Sequence, residues 1–356
     1  MKRLRVGFVG VGGMGQAAHL ANYAVLPECE VVAVSDLRYG LAQKVAKRYG
    51  VPHAYPDYKS MYEGEQLDGV VASQPFEIHG RLIPELLALG VPVMTEKPIG
   101  RSVEAGRKVL EAAKSTKTPY FVGYHKRSDP ATICAKKAVE DLRQSGELGK
   151  MKYVRITMPP GDWVANGFAA MVSSDEPYPQ LERDPEPGGM DSSVAGRYNA
   201  FVNYYIHQVN LLRHLLGEDY KVTYADPCEV VLGAVSSNGI SCIIEMAPYN
   251  STIDWQEQAL IGFEKGYVKL ELPAPLASNR AGQVTLFRDL GNGDASLSSP
   301  SLPLVHAMRQ QAVHFVQAIA GGATPLCGPE DAVKDLETAR EYMELLIKTQ
   351  QTGGSD

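Results

Sequence analysis

Two side chains of this sequence have the chemistry to move a proton at an oxygen-bearing carbon: Lys97, in Thr95-Glu96-Lys97-Pro98, and His207, in Asn203-Tyr204-Tyr205-Ile206-His207-Gln208-Val209-Asn210. An ammonium held at a strand end can donate to a hydroxyl or carbonyl, and partial burial would lower its pKa. The competing reading of Lys97 is a surface lysine beside a glutamate. His207 is the natural acid–base candidate because an unperturbed imidazole titrates near neutrality. Read as one helix, Asn203, His207, Asn210 and His214 share a polar face, and Tyr204, Leu211, Leu212 and Leu215 form an apolar stripe. Gly217 is the expected stop. A structural or surface histidine remains the alternative. Two histidines seven residues apart, with no acid on their face, predict no metal site.

A third group could hold an anionic cofactor. Val6-Gly7-Phe8-Val9-Gly10-Val11-Gly12-Gly13-Met14-Gly15 is a short apolar strand running into G-x-G-x-x-G, and a second apolar run, Val31–Ser35, ends in Asp36. Gly10 allows the tight turn, Gly12 the close approach of backbone to pyrophosphate, and Gly15 the packing of helix on strand. Free N–H groups and the helix dipole then face the phosphates. Asp36 would accept hydrogen bonds from a ribose 2′-hydroxyl, which favours NAD over NADP. Arg38 could pair with a 2′-phosphate or be an ordinary helix-start arginine; NAD is the expected cofactor, with NADP as a possible second.

The elements that must position these groups are legible up to about residue 125. Apolar runs at Arg5–Val9, Glu30–Ser35, Gly69–Ser73, Val91–Thr95 and Tyr120–Tyr124 alternate with helical stretches such as Tyr39–Tyr49, Gly80–Leu89 and Val103–Ser115. Such alternation predicts βαβ units, hence an α/β fold with a doubly wound parallel sheet whose ligand lies beyond the carboxyl ends of the strands. Pro130 to Ser145 reads as a helix stopped at Gly146. From Met151 the texture changes. Lys152–Met158, Cys228–Ser236, Ser241–Met246, Gln258–Phe263, Tyr267–Leu272 and Gln283–Arg288 read as successive strands of a large, open, mostly antiparallel sheet. Helices are expected near Val305–Ala320 and Pro329–Lys348. The long Pro159–Gly196 stretch has no clear period, as in functional or mobile loops. The expected division is a dinucleotide-binding domain at 1–125, an α+β domain for substrate and oligomerisation at 126–350, and a frayed tail at 351–356.

With 356 residues, two domains are the natural prior. The net charge of −6 and the lack of a basic block argue against a nucleic-acid partner. No run of 18 apolar residues occurs and no apolar leader precedes the first strand, which predicts a cytoplasmic protein without a membrane partner. The five cysteines are scattered and never form C-x-x-C, so neither zinc nor a disulfide framework is expected.

Other candidates follow from position. His125-Lys126-Arg127 comes after the last strand of the first domain and could bind an anionic or polyhydroxylated substrate, or be a basic linker. Trp163 near one end of the long loop could be a sugar platform or an interface plug, and Arg197 and Tyr198 lie at the other end.

Taken together, G-x-G-x-x-G, Asp36, Asp68-Gly69-Val70-Val71-Ala72-Ser73-Gln74-Pro75 with His79, and Glu96-Lys97-Pro98 resemble the Gfo/Idh/MocA family. Gly146-Glu147-Leu148-Gly149, Phe315-Val316-Gln317-Ala318-Ile319 and Glu330-Asp331-Ala332 resemble its later segments. The resemblance implies a Rossmann domain followed by an α/β domain whose open sheet makes homodimer or homotetramer contacts. It also implies hydride transfer between a nicotinamide and a sugar, glycoside, inositol or related polyol. The family's lysine falls on Lys97 and its histidine on His207. Ser73, Gln74, Pro75 and His79 sit where family members touch ribose and nicotinamide. The implied cofactor set is Gly10, Gly12, Gly13, Met14, Gly15, Asp36, Arg38, Ser73, Gln74, Pro75, His79, Glu96 and Lys97. The substrate set is His125, Lys126, Arg127, Trp163, Arg197, Tyr198, Asn203, Tyr204 and Asn210.

This sequence departs from the family's D-x-G-x-H-x-x-D pattern, with Asn203, Tyr205 and Asn210 at the Asp, Gly and Asp positions. Asparagine carries no charge, so His207 is expected to be less basic, and Tyr205 fills space that a glycine leaves open. Some family members cleave glycosides by transient oxidation, elimination, water addition and re-reduction. The Asn/Tyr-rich segment before His207 is loosely similar to theirs, and Tyr and His could share the two proton removals. A nucleotide-binding subunit without catalysis is the third reading.

Overall fold

The computed structural model describes residues 3–246, 249–278, 280–291, 293–322 and 326–353. Of the expected tail, Gln351 to Gly353 close the last helix, and 354–356 lie outside the described residues. The chain divides into two compact units. The first comprises 1–125, 166–195 and 308–336, and the second 126–165, 196–307 and 337–356. The first segment of the first unit ends at His125. Two later segments that the sequence division gives to the second domain pack with the first unit instead.

The first unit is built on six strands: β1 (Leu4–Val9), β2 (Cys29–Ser35), β3 (His53–Tyr55), β4 (Gly69–Ala72), β5 (Val93–Glu96) and β6 (Tyr120–Gly123). They pair in parallel in the order β3-β2-β1-β4-β5-β6. This is the order of a doubly wound dinucleotide-binding sheet, with the strand order reversing beside β1. The central strands are apolar runs because helices cover both faces. Phe8, Tyr23, Phe121 and Phe315 form an aromatic core with edge-on rings 5.2 to 6.4 Å apart. Phe315 belongs to helix Ala307–Ile319, which is why residues from 308 onward join this unit.

β3 and the short helix Tyr58–Gly64 were not foreseen. β3 has only three residues, none fully buried, so it shows no periodic signal. The helix is announced only by Asp57, whose carboxylate accepts from the Ser60 N–H at 2.8 Å.

The second unit carries eight strands: β7 (Met151–Thr157), β8 (Tyr220–Ala225), β9 (Val231–Ser236), β10 (Ser241–Glu245), β11 (Gln258–Phe263), β12 (Gly266–Glu271), β13 (Gln283–Arg288) and β14 (Ser296–Ser298). Their order is β14-β13-β12-β11-β7-β10-β9-β8. Every neighbouring pair is antiparallel except β7 with β10. β8 and β14 are additions to the expected set. A register shift between Val222 and Tyr224 breaks the alternation of β8, and β14 is three exposed residues.

One element needs correction. The stretch around His207 is two helices, Ser192–Tyr204 and Ile206–Leu216, separated at Tyr205. Asn203 and His207 therefore do not share a face of one helix. Asn203 is exposed on the first helix, whereas Asn210 is buried on the second. The aromatic run explains the break. The Tyr205 ring packs at 5.0 Å from Tyr204 and 6.0 Å from Phe201, and its hydroxyl donates to the Met246 carbonyl.

Candidate active site

In the first unit the glycines behave as their spacing predicts. Gly10 has φ +86°, and a Cβ there would lie 2.3 Å from the Gln74 amide and 2.5 Å from the Ser73 carbonyl. A Cβ on Gly15 would meet the Gly10 carbonyl at 2.5 Å. Gly12 is different: a Cβ there would find only the Arg38 guanidinium, at 3.7 Å. Gly10 and Gly15 are thus demanded by the fold itself. The space over Gly12 is what close approach of a pyrophosphate requires.

Asp36 closes the loop from the side. Its Oδ2 accepts from the Val11 N–H at 3.1 Å, and its Oδ1 from the Arg38 N–H at 2.9 Å and Nε at 3.3 Å. Oδ2, with one donor, keeps acceptor capacity for a ribose hydroxyl. The cradle and the acid fit a dinucleotide. Gly13, Met14 and Ser73 lie in the same loop edge, and Pro75 lines a cavity of about 550 Å³ with Glu77, Ile78 and Tyr178.

The Lys97 segment leaves the carboxyl end of β5. Glu96 is buried and its Oε1 lies 2.7 Å from His19 Nε2. Burial works to raise the Glu96 carboxyl. The hydrogen bond and charge of His19, with the Lys97 charge, outweigh it and leave the carboxyl below its ordinary value. Lys97 is half-buried, its N–H reaches Glu96 Oε2 at 3.3 Å, and the Lys97–Pro98 peptide is cis. His79 is fully buried at the start of its helix. Its Nδ1 lies 2.9 Å from the Pro98 carbonyl, which can only accept, so Nδ1 carries the proton. Burial holds the His79 imidazole below its ordinary pKa, against the Pro98 hydrogen bond. His79, Pro98, Glu96 and His19 together fix the backbone from which the Lys97 side chain extends.

Sequence reasoning missed the strap 166–195, which packs along this same edge. Gln16 donates to Val11 O at 2.8 Å and Val172 O at 3.0 Å, and accepts from Val172 N–H at 2.9 Å. A Cβ on Gly13 would lie 3.4 Å from both Met171 and Phe168. Asp184 accepts from the Gly80 N–H at 2.7 Å, and Arg101 donates to the Asp184 carbonyl at 3.0 Å. No local pattern signals these contacts, because they join a periodless segment to residues far away in sequence.

In the second unit, His207 lies in the first turn of helix Ile206–Leu216 and is half-buried. Arg127 donates through Nε to Asn210 Oδ1 at 2.7 Å, and Lys126 pairs with the buried Glu257. Gln208 donates to the other Glu257 oxygen at 2.8 Å. The segment His125-Lys126-Arg127 is therefore no open basic patch: all three residues are buried, and the two cations are held by internal partners. Glu257 and Trp255, whose ring lies 5.6 Å from the Lys126 ammonium, were not singled out from sequence. Tyr204 accepts from the Gly161 N–H at 3.3 Å. Trp163 sits in the same turn. Arg197 is bound to Glu229 and Gln350, and Tyr198 is fully buried.

Burial raises the phenols of Tyr204 and Tyr205 above their ordinary range, so neither ionises near neutrality. Burial, reinforced by Arg127 and Lys136, pushes His214 down to about 3. Burial pushes the Asp129 carboxyl up to about 6 against the Ala131 hydrogen bond and the Lys126 charge.

Residues 4–124 match the model of the oxidoreductase family with an NAD-binding Rossmann fold, GFO_IDH_MocA. Inositol 2-dehydrogenase of Rhizobium meliloti strain 1021 is 26% identical over 358 residues, covering 98% of each chain. The scyllo-inositol 2-dehydrogenase (NAD(+)) of Bacillus subtilis strain 168 is 24% identical over 353 residues, covering 94% of this chain and 92% of the relative. The solved oxidoreductase domain protein from Kribbella flavida superposes with a TM-score of 0.75 at 18% identity, covering 98% of each chain. Fold, cradle and matches define a nicotinamide-dependent oxidoreductase. The segment 4–124 is that of the Gfo/Idh/MocA family, and the two dehydrogenase relatives extend the likeness over nearly the whole chain. Among the described residues, no helix is long and apolar enough to cross a membrane.

Proposed function

We propose that this protein is an NAD-dependent dehydrogenase of a cyclic polyol or sugar, with Lys97 and His207 as its proton-handling groups. When bound, the nicotinamide supplies a hydride acceptor at C4. Lys97, as the neutral amine, accepts the hydroxyl proton as the carbon–oxygen bond gains double-bond character, and the ammonium so formed donates a hydrogen bond to the new carbonyl oxygen before the proton passes on through His207. The His19–Glu96 pair and the His79–Pro98 bond hold the Lys97 backbone while its side chain works. His207 is the second proton carrier. The Arg127–Asn210 bond anchors its helix. The observation that carries this reading is the exit of Lys97 from β5, on the sheet that bears the glycine cradle.

Net oxidation is favoured over redox-neutral glycoside cleavage and over a silent subunit. Two relatives matched over nearly their whole length carry dehydrogenase names, and the raised Tyr204 and Tyr205 phenols are not ionised to serve as bases for a second proton removal. Assembly through the open sheet of the second unit and a cytoplasmic setting belong to the same proposal. The test is NADH formation from NAD with a panel of inositols, aldoses and anhydrosugars. Release of an aryl aglycone without net NADH would contradict it.

A further inference from the structure

The rim on which an adenosine 2′-substituent would rest carries a carboxylate from a distant part of the chain. Glu176, on the strap, accepts from the N–H groups of Gly40 at 3.0 Å and Leu41 at 2.8 Å, at the start of helix Tyr39–Tyr49. Ser174 Oγ donates to the same carboxylate at 2.8 Å. These bonds, Ser174 first and Gly40 next, keep the carboxyl below its ordinary pKa, so it is ionised at neutral pH. The approach is close: a Cβ on Gly40 would lie 2.9 Å from Glu176 Oε2. Two residues on, the Tyr178 ring sits 4.9 Å from the Arg38 guanidinium, which Asp36 holds from the other side.

A 2′-phosphate in a βαβ site needs what lies just past the second strand: an arginine and free N–H groups of the next helix. Here Arg38 is the arginine, and Gly40 and Leu41 are those N–H groups. The arginine is shared between Asp36 and Tyr178, and the N–H groups are already satisfied by an anion. A phosphate would have to evict Glu176 or sit beside its charge.

We propose that Glu176 is a specificity-determining residue that excludes the 2′-phosphate of NADP, acting with Asp36 but delivered by the strap. The inference rests on the reading of this site as one for NAD. Asp36 tests for a 2′-hydroxyl by accepting from it, and Glu176 removes the anion site a 2′-phosphate would use. Discrimination of this kind works through unfavourable charge against the wrong ligand as well as contacts to the right one.

The experiment is calorimetric titration of purified full-length protein with NAD and with NADP, comparing wild type with Glu176→Gln and Glu176→Ser, each checked for folding by thermal melting. Gln keeps the size and one of the two acceptor oxygens and deletes the charge. The quantity read is the ratio of the two dissociation constants, so a general loosening of the strap cancels. Removing one like charge from beside a phosphate is expected to shift the ratio towards NADP by roughly tenfold or more. A ratio within about twofold of wild type in both variants overturns the role of Glu176 and leaves the NAD reading intact. Tighter binding of NADP than of NAD by the wild type overturns both.

Discussion

The imidazole of His19 lies 2.7 Å from the carboxylate of Glu96, the residue immediately before Lys97. The pair is buried, and it ties the turn at Gly15–Leu20 to the end of β5. Removing one partner strands the other. His19→Ala is expected to cost about 3 kcal/mol, measured by chemical denaturation. The sign of the pH effect is fixed by the depressed Glu96 carboxyl. Its contribution is present above the ordinary glutamate pKa and is lost as pH falls from there through the lower folded value. His19→Ala should flatten the wild-type loss of stability in that acidic window. An unchanged acid slope would show that the pair is not what depresses the carboxyl.

The three motif glycines separate fold from binding. Gly10→Ala and Gly15→Ala press a methyl onto backbone carbonyls at 2.5 Å and are expected to lower stability by more than about 2 kcal/mol. Gly12→Ala meets only a flexible guanidinium at 3.7 Å. It should melt within a few degrees of wild type and lose dinucleotide affinity. A folded Gly12→Ala that binds NAD like wild type would refute the cradle.

This contrast marks how far the sequence can be read. Gly15 and Asp36 act through contacts within one βαβ unit, and Gly10 takes a left-handed turn (φ +86°) there, so spacing alone exposes them. Lys97 is legible because a strand end and a proline frame it. The strap is not legible: Gln16, Glu176 and Asp184 work across more than 100 residues, and Pro159–Gly196 has no period to announce a surface. The single-helix reading around His207 fails for a different reason. Helical spacing continues through Tyr205, and only the packing of Phe201, Tyr204 and Tyr205 breaks it.

The buried Lys126–Glu257 pair, with Gln208 on the second carboxylate oxygen, should be integral to the second unit. Lys126→Ala leaves an unpaired buried carboxylate and is expected to destabilise by about 3–5 kcal/mol. Lys126→Ala with Glu257→Gln should recover part of the loss. A Lys126→Ala variant as stable as wild type would mean that the cation is free for a substrate.

Two groups of the second unit give opposite acid slopes. His214 stays neutral down to about 3, so the unfolded chain takes up a proton first. Stability falls as pH drops below the ordinary imidazole value, by on the order of 1 kcal/mol per pH unit. Asp129 is raised to about 6, so its destabilising effect is largest above that pH and fades as pH falls towards the ordinary aspartate value. His214→Gln should remove the first slope. Asp129→Asn should remove the second and raise stability at neutral pH, since Asn also caps the helix start. Denaturant midpoints from pH 4 to 8 on the order of half-unit steps resolve both.

The most direct test is the effect of Lys97→Ala on single-turnover NADH formation with an inositol or sugar that the wild type oxidises, with NAD affinity measured in parallel. Loss of about 10²–10⁴-fold in the hydride step with NAD binding retained is the predicted result. A variant that binds NAD and reduces it at the wild-type rate would contradict the assignment of Lys97 as a proton-handling group.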